Sequence, residues 1–218
     1  TRCSRDWSSD VCSSDLVLGC GEFGAMVWGD GKKLNVTLDH LNAWEMEVDE
    51  SFLDAPEYNY ASLRKLVAEK NADEIKKVFF DRWLKDNPIA PTKVNLGRFE
   101  LRRGMPDGRV KWELDLRQAE IALTEGTEQT TVFMSRRCGA LIIHGAAARH
   151  GGMDFIAFED LCREYRKLNL PATRVERHED GFTVVQTLTG RVFVLSALRH
   201  ADFLSVTVAV GGDEAAAW

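Results

Sequence analysis

From residue 23 onward the chain alternates apolar and polar residues in short runs broken by turn residues. That is the period of two in which successive side chains fall on opposite faces of a strand. Residues 23–28 and 34–38 form the first pair, separated by Gly29-Asp30-Gly31, a hairpin signal. Residues 99–101 alternate, and so do 110–116 after the turn Pro106-Asp107-Gly108. Runs at 119–124, 130–134, 141–144, 182–188, 192–198 and 203–210 come next. Glu125-Gly126, Asp180-Gly181, Thr189-Gly190 and Gly211-Gly212 punctuate them. Closely spaced short strands with turns between them predict an antiparallel sandwich or barrel.

Two stretches depart from that period. In 60–84, Leu63, Leu66 and Val67, then Ile75, Val78, Phe79 and Trp83, recur at helical spacing. With Asp73 as a candidate cap for the second segment, they predict a helical hairpin inserted between strands. A further helix is expected over 158–167, stopped by Pro171. No internal repeat or low-complexity linker divides the chain.

Composition changes this picture at one end. Residues 1–16, TRCSRDWSSDVCSSDL, are rich in Ser and Asp and carry almost no apolar pattern. Asp6 to Leu16 back-translates into a sequence that resembles a standard sequencing adapter read in frame. The segment is therefore read as adapter-derived and disordered, and left out of fold reasoning. The domain is then 17–218, and the chain is expected to be a piece of a longer gene, cut at both ends. Setting 1–16 aside removes two arginines and three aspartates, moving the net charge from −6 to −5. An acidic chain is not expected to partner nucleic acid. No uncharged apolar run approaches the roughly 18–20 residues of a spanning helix, so no membrane partner is expected either.

Gly19-Cys20-Gly21-Glu22-Phe23-Gly24 matches G-x-G-x-x-G, with Asp39 twenty positions after Gly19. A dinucleotide site needs a helix after the glycines, so that the pyrophosphate meets its N-terminus. The AMVWGDG stretch after Gly24 is strand-like and broken by glycine, so the glycines are read as serving a tight turn and close backbone packing.

The same segment carries a resemblance. Residues 17–45, VLGCGEFGAMVWGDGKKLNVTLDHLNAWE, resemble the opening of the N-terminal domain of bacterial glycoside hydrolases related to family 95, the α-L-fucosidase-like enzymes. Gly19, Gly21, Gly24, Ala25, Met26, Val27 and Gly29 fit the family's first turn and strand. Leu34, Val36, Leu38, Asp39 and Trp44 fit the second strand and the acidic residue and Trp to which it leads. Cys20 stands where the family usually has Asn, and Asn42 near a position that is often Asp. Thr183 to Gln186 and Gly190 to Val194 are similar to a late strand pair, so the resemblance spans most of 17–210.

The resemblance implies a mainly β fold, an antiparallel, supersandwich-like β-sandwich carrying the helical hairpin. It also implies a downstream catalytic barrel of helical hairpins, the partner on which the sandwich packs. Glycoside hydrolysis uses a proton donor and a second group across the scissile bond, generally two carboxylates. In such enzymes these lie in the barrel, so no catalytic residue is assigned here. The substrate class implied is an oligosaccharide or glycoside, with no cofactor or metal. A free-standing carbohydrate-binding module and an assembly sandwich without ligand stay open as alternatives.

Asp39, His40 and Trp44 follow a strand end, where loops carry function. Carboxylate, imidazole and indole suit a sugar, whose C–H faces stack on aromatic rings. They are the candidate binding residues, set against Trp44 packing on the helical hairpin and His40 standing as a solvated loop residue. Cys20, Cys138 and Cys162 form neither a disulfide framework nor a metal motif, and Cys138 is read as a small buried thiol. His144 and His150 are too widely spaced to share a helical face. Arg136-Arg137 and the basic run 163–167 read as solvated surface.

Overall fold

The computed structural model describes residues 16–29, 32–47, 54–81, 91–102, 110–149, 152–162 and 168–213, with the backbone of 2–6. In chain order its strands are β1 (Arg2–Asp6), β2 (Leu16–Gly19), β3 (Phe23–Gly29), β4 (Lys33–His40), β5 (Trp44–Glu45), β6 (Thr92–Lys93), β7 (Arg98–Arg102) and β8 (Lys111–Asp115). Then come β9 (Glu120–Glu125), β10 (Glu128–Ser135), β11 (Ala140–Gly145), β12 (Met153–Ile156), β13 (Arg174–His178), β14 (Gly181–Leu188), β15 (Arg191–Arg199) and β16 (Phe203–Gly211).

The strands form two large antiparallel sheets. One has nine strands in the order β1-β8-β9-β10-β11-β16-β15-β14-β13, and the other five in the order β12-β7-β4-β3-β2. A two-stranded ribbon, β5-β6, stands beside them. The inward faces of both large sheets share one hydrophobic core, as in a β-sandwich. Alternation is the reason. In β3, Phe23, Ala25 and Val27 are buried while Gly24, Met26 and Trp28 are half-buried on the other face. Phe182 on β14 reaches across the layer, 6.5 Å from Phe99 on β7 and 5.5 Å from Phe155 on β12, ring centre to ring centre.

The G-x-G-x-x-G segment is the hairpin of β2 and β3, with Gly19 paired to Gly24. Gly21 takes φ +93°, which favours glycine. A Cβ on Gly29 would lie 2.0 Å from the Lys33 carbonyl oxygen. The glycines thus serve a turn and a close backbone approach, and a strand stands where a dinucleotide site needs a helix.

The inserted hairpin consists of α1 (Tyr60–Ala68) and α2 (Ala72–Lys76), which runs on into a wider π-helical turn, Lys77–Asp81. Asn59 and Asn71 cap them, accepting hydrogen bonds from the Ser62 and Glu74 N–H groups. The expected cap Asp73 instead lies within the first turn of α2, because Asn71 is placed to reach the N–H three residues on. Residues 82–84 of the expected hairpin lie outside the described residues. Two short helices remain, α3 (Ala146–Arg149) and α4 (Phe158–Leu161). α4 ends at Leu161 because Cys162 is extended, at φ −130° and ψ 117°. The rest of that expected helix, 163–167, lies outside the described residues, as do the turns at Asp30-Gly31 and Pro106-Asp107-Gly108.

Within the adapter-like segment, Arg2–Asp6 pairs along β8 and Leu16 opens β2. Main-chain pairing at an open sheet edge demands no side-chain pattern. Among the described residues no helix is long and apolar enough to cross a membrane.

Phe182 is 1% exposed, so Phe182→Ala is expected to cost about 3–5 kcal/mol of unfolding free energy. Phe80 is 63% exposed, and Phe80→Ala is expected to stay within about 0.5 kcal/mol. Urea unfolding of both variants checks the pair.

Candidate functional site

The three residues singled out by sequence converge at one corner of the sandwich, where β4 ends. Asp39 points outward and His40 inward, as strand alternation requires. The chain then turns back. The Ala43 N–H donates to the His40 carbonyl at 2.9 Å, and the Leu41 N–H to the Glu22 carbonyl at 2.7 Å. Trp44 opens β5 and lies directly opposite Lys93 on β6.

Lys93 is the residue that sequence reasoning missed. Its ammonium donates to Asp39 Oδ1 at 2.6 Å and to the His40 carbonyl at 2.5 Å. It lies 3.4 Å from the Ala43 carbonyl and 5.9 Å from the centre of the Trp44 ring. The signal that could have found it is the alternation of Val94 and Leu96, both fully buried, which marks 92–96 as extended. Nothing in the sequence pairs that stretch with Trp44 across 49 positions.

The turn between β14 and β15 completes the corner. Arg191 donates to the Asn42 carbonyl at 2.9 Å, and the Thr189 N–H to Glu45 Oε2 at 2.8 Å. Glu45 is 1% exposed, and its other oxygen accepts the Glu47 N–H at 3.0 Å. The resemblance drew on both the start and the late strand pair of the chain, and this corner is where those regions meet.

Each candidate has a distinct setting. Asp39 Oδ1 accepts from the His40 N–H at 2.7 Å as well as from Lys93, while its side chain is half exposed. The Trp44 residue is 40% exposed. His40 is 5% exposed, with its ring edge-on to Phe193 at 5.5 Å. It is therefore not a solvated loop residue, because the inward strand position carries the ring into the core. Its Nδ1 accepts the Asn42 N–H at 3.2 Å, which leaves the proton of the neutral ring on Nε2, 3.9 Å from Glu22 Oε2. Asp39 and Trp44 are thus open to solvent at this corner, Lys93 is partly covered, and the His40 ring is buried.

Burial lowers the His40 pKa from its ordinary 6.5. Glu22 and Asp39 pull the other way, and Lys93 adds to the lowering. The ring is neutral at pH 7 and serves as a hydrogen-bond acceptor for the turn.

A separate cleft of about 310 Å³ lies where the β13–β14 hairpin meets β12, lined by Met153, Arg177, His178, Glu179, Asp180 and Arg199. Its cations and carboxylates are mixed, and it contains none of the candidate residues. Cys138 lies exposed between β10 and β11, its thiol 3.1 Å from Ser135 Oγ, so it is not the buried thiol expected. A hairpin connection has no core beneath it to cover a thiol. Arg136 and Arg137 are exposed in the same turn, while His150 and 163–167 lie outside the described residues. Among the described residues no three His, Cys, Asp or Glu side chains converge as a metal site.

No family model and no curated protein matches the chain.

The lowered His40 pKa has a definite sign. The unfolded chain takes up a proton more readily, so the stability from neutral, buried His40 is complete above about pH 6.5 and is lost as pH falls through the lower folded value. His40→Gln is expected to lose less stability than the parent between about pH 7.5 and about pH 5 in urea unfolding. Equal losses would contradict this role.

Proposed function

We propose that the chain is the non-catalytic N-terminal sandwich of a larger bacterial glycoside hydrolase of the α-L-fucosidase-like kind. It supports a downstream catalytic barrel and lends its Asp39–Trp44 corner to sugar binding. The observation that carries this reading is the convergence of Asp39, Trp44 and Lys93 on one exposed corner. A half-open indole offers a ring face for the C–H face of a pyranose. A carboxylate fixed beside it offers an acceptor for hydroxyl groups. Residues 17–45, which carry the family resemblance, build most of that corner.

A second observation supports the supporting role. Leu41 and Met46 are 63% and 60% exposed on either side of Trp44. Tyr60, Val67 and Phe80 stand in solvent on the helical hairpin, and neither α1 nor α2 buries a residue. Large apolar side chains left this exposed suit a docked neighbour better than open water.

Trp44→Ala in the complete protein, titrated with methyl α-L-fucopyranoside and methyl β-D-glucopyranoside, tests the reading. The expected result is about tenfold weaker binding of whichever glycoside the parent holds, about 1.4 kcal/mol. Unchanged affinity and kinetics would remove the corner from the sugar site.

A further inference from the structure

The two strands of the β5–β6 ribbon flank the helical hairpin in sequence, and the ribbon contains only two residue pairs, Trp44 with Lys93 and Glu45 with Thr92. So short a ribbon is too small to fix the placement of its side chains by itself. The Lys93 side chain holds this one against the sandwich. An ammonium has three N–H donors and no acceptor. Here three acceptors surround it: Asp39 Oδ1, the His40 carbonyl and the Ala43 carbonyl, at 2.6, 2.5 and 3.4 Å. They come from the end of β4 and from both sides of the turn after it. The side chain is 33% exposed, so these interactions are less screened than those of a fully solvated lysine.

We infer that Lys93 is the positioning residue of the proposed sugar corner, setting the Asp39 carboxylate and the Trp44 ring in the one arrangement that lets a hydroxylated ligand meet both. The inference rests on reading that corner as a sugar site. With its three donors directed at the protein, Lys93 acts as a strut and not as a ligand contact. Asp39 Oδ1 is occupied by Lys93 and by the His40 N–H. Oδ2 accepts no hydrogen bond among the described residues and is the oxygen left for a ligand hydroxyl. The same ammonium fixes the partner position of Trp44 across the ribbon, 5.9 Å from the ring centre, within the range of a cation–π contact. Carboxylate and indole are thereby referred to one charge. An arginine would not replace it, because a planar fork does not converge on three acceptors arranged around a point.

The test uses the full chain carrying 5-fluorotryptophan, with the Trp44 signal in the ¹⁹F NMR spectrum assigned by its loss in Trp44→Phe. Lys93→Met keeps most of the stem and removes the charge. It is expected to move or broaden the Trp44 signal while the Trp28 and Trp112 signals stay in place, and to weaken methyl glycoside binding about tenfold. A Trp44 signal unchanged in Lys93→Met overturns the inference. So does a spectrum in which all three signals move alike, since that reports general loosening. If Lys93→Met does not fold, Asp39→Asn removes the ion pair alone, and an unmoved Trp44 signal there overturns the inference equally. If the parent binds neither glycoside while the Trp44 signal still responds to Lys93→Met, the strut stands and the sugar reading fails.

Discussion

The structure depends on two antiparallel sheets covering each other through a single apolar layer. Every strand that contributes to it must present alternate residues inward, and a slip of one residue would turn the apolar set to water. That requirement fixes register along β3, β4, β7 and β14 to β16, and register in turn fixes where strands end. His40 is the last inward residue of β4, so its ring closes the edge of the layer against Phe193. Asp39, one residue earlier, faces out for the same reason. The candidate site is the place where the alternation stops, and its geometry is inherited from the core.

At that edge hydrophobic packing gives way to polar joints. Glu45 is buried, pairs with no cation among the described residues, and accepts from two main-chain N–H groups, one from its own segment and one from the β14–β15 turn. Arg191 and Lys93 add side-chain donors to the Asn42 and His40 carbonyls of the turn after β4, each of which also accepts a main-chain N–H. Buried or half-buried polar groups of this kind are costly when unpaired, so these joints fix a geometry that apolar contact alone would leave loose. The joints made by Lys93, Thr189 and Arg191 span 53, 144 and 149 positions in sequence.

That separation explains why the fold was more legible in the sequence than the site. Strands β3, β4, β9 to β11 and β14 to β16 were legible because each keeps one face in the core. β13, RVERH, was not, because all five of its residues are exposed and nothing imposes a period on them. The β5–β6 ribbon is too short to have a period. The insertion of α1 and α2 was visible in its apolar spacing, whereas its cap at Asn71 depended on where the chain enters the helix. Asp39, His40 and Trp44 were legible as residue types at a strand end. Burial of His40 follows from strand parity carried two residues further. The role of Lys93 is a property of tertiary pairing and has no local signature.

In the proposed function the Asp39–Trp44 corner, and not the polar cleft by Arg177 and Arg199, is where a sugar meets this sandwich. Titrating ¹⁵N-labelled protein with methyl α-L-fucopyranoside while following backbone amides and indole N–H signals tests that claim most directly. The predicted result is saturable shifts confined to the Trp44 indole and to amides 39–45, 93 and 189–191. Shifts centred on 177–181 and 199, or none at saturating glycoside, would contradict it.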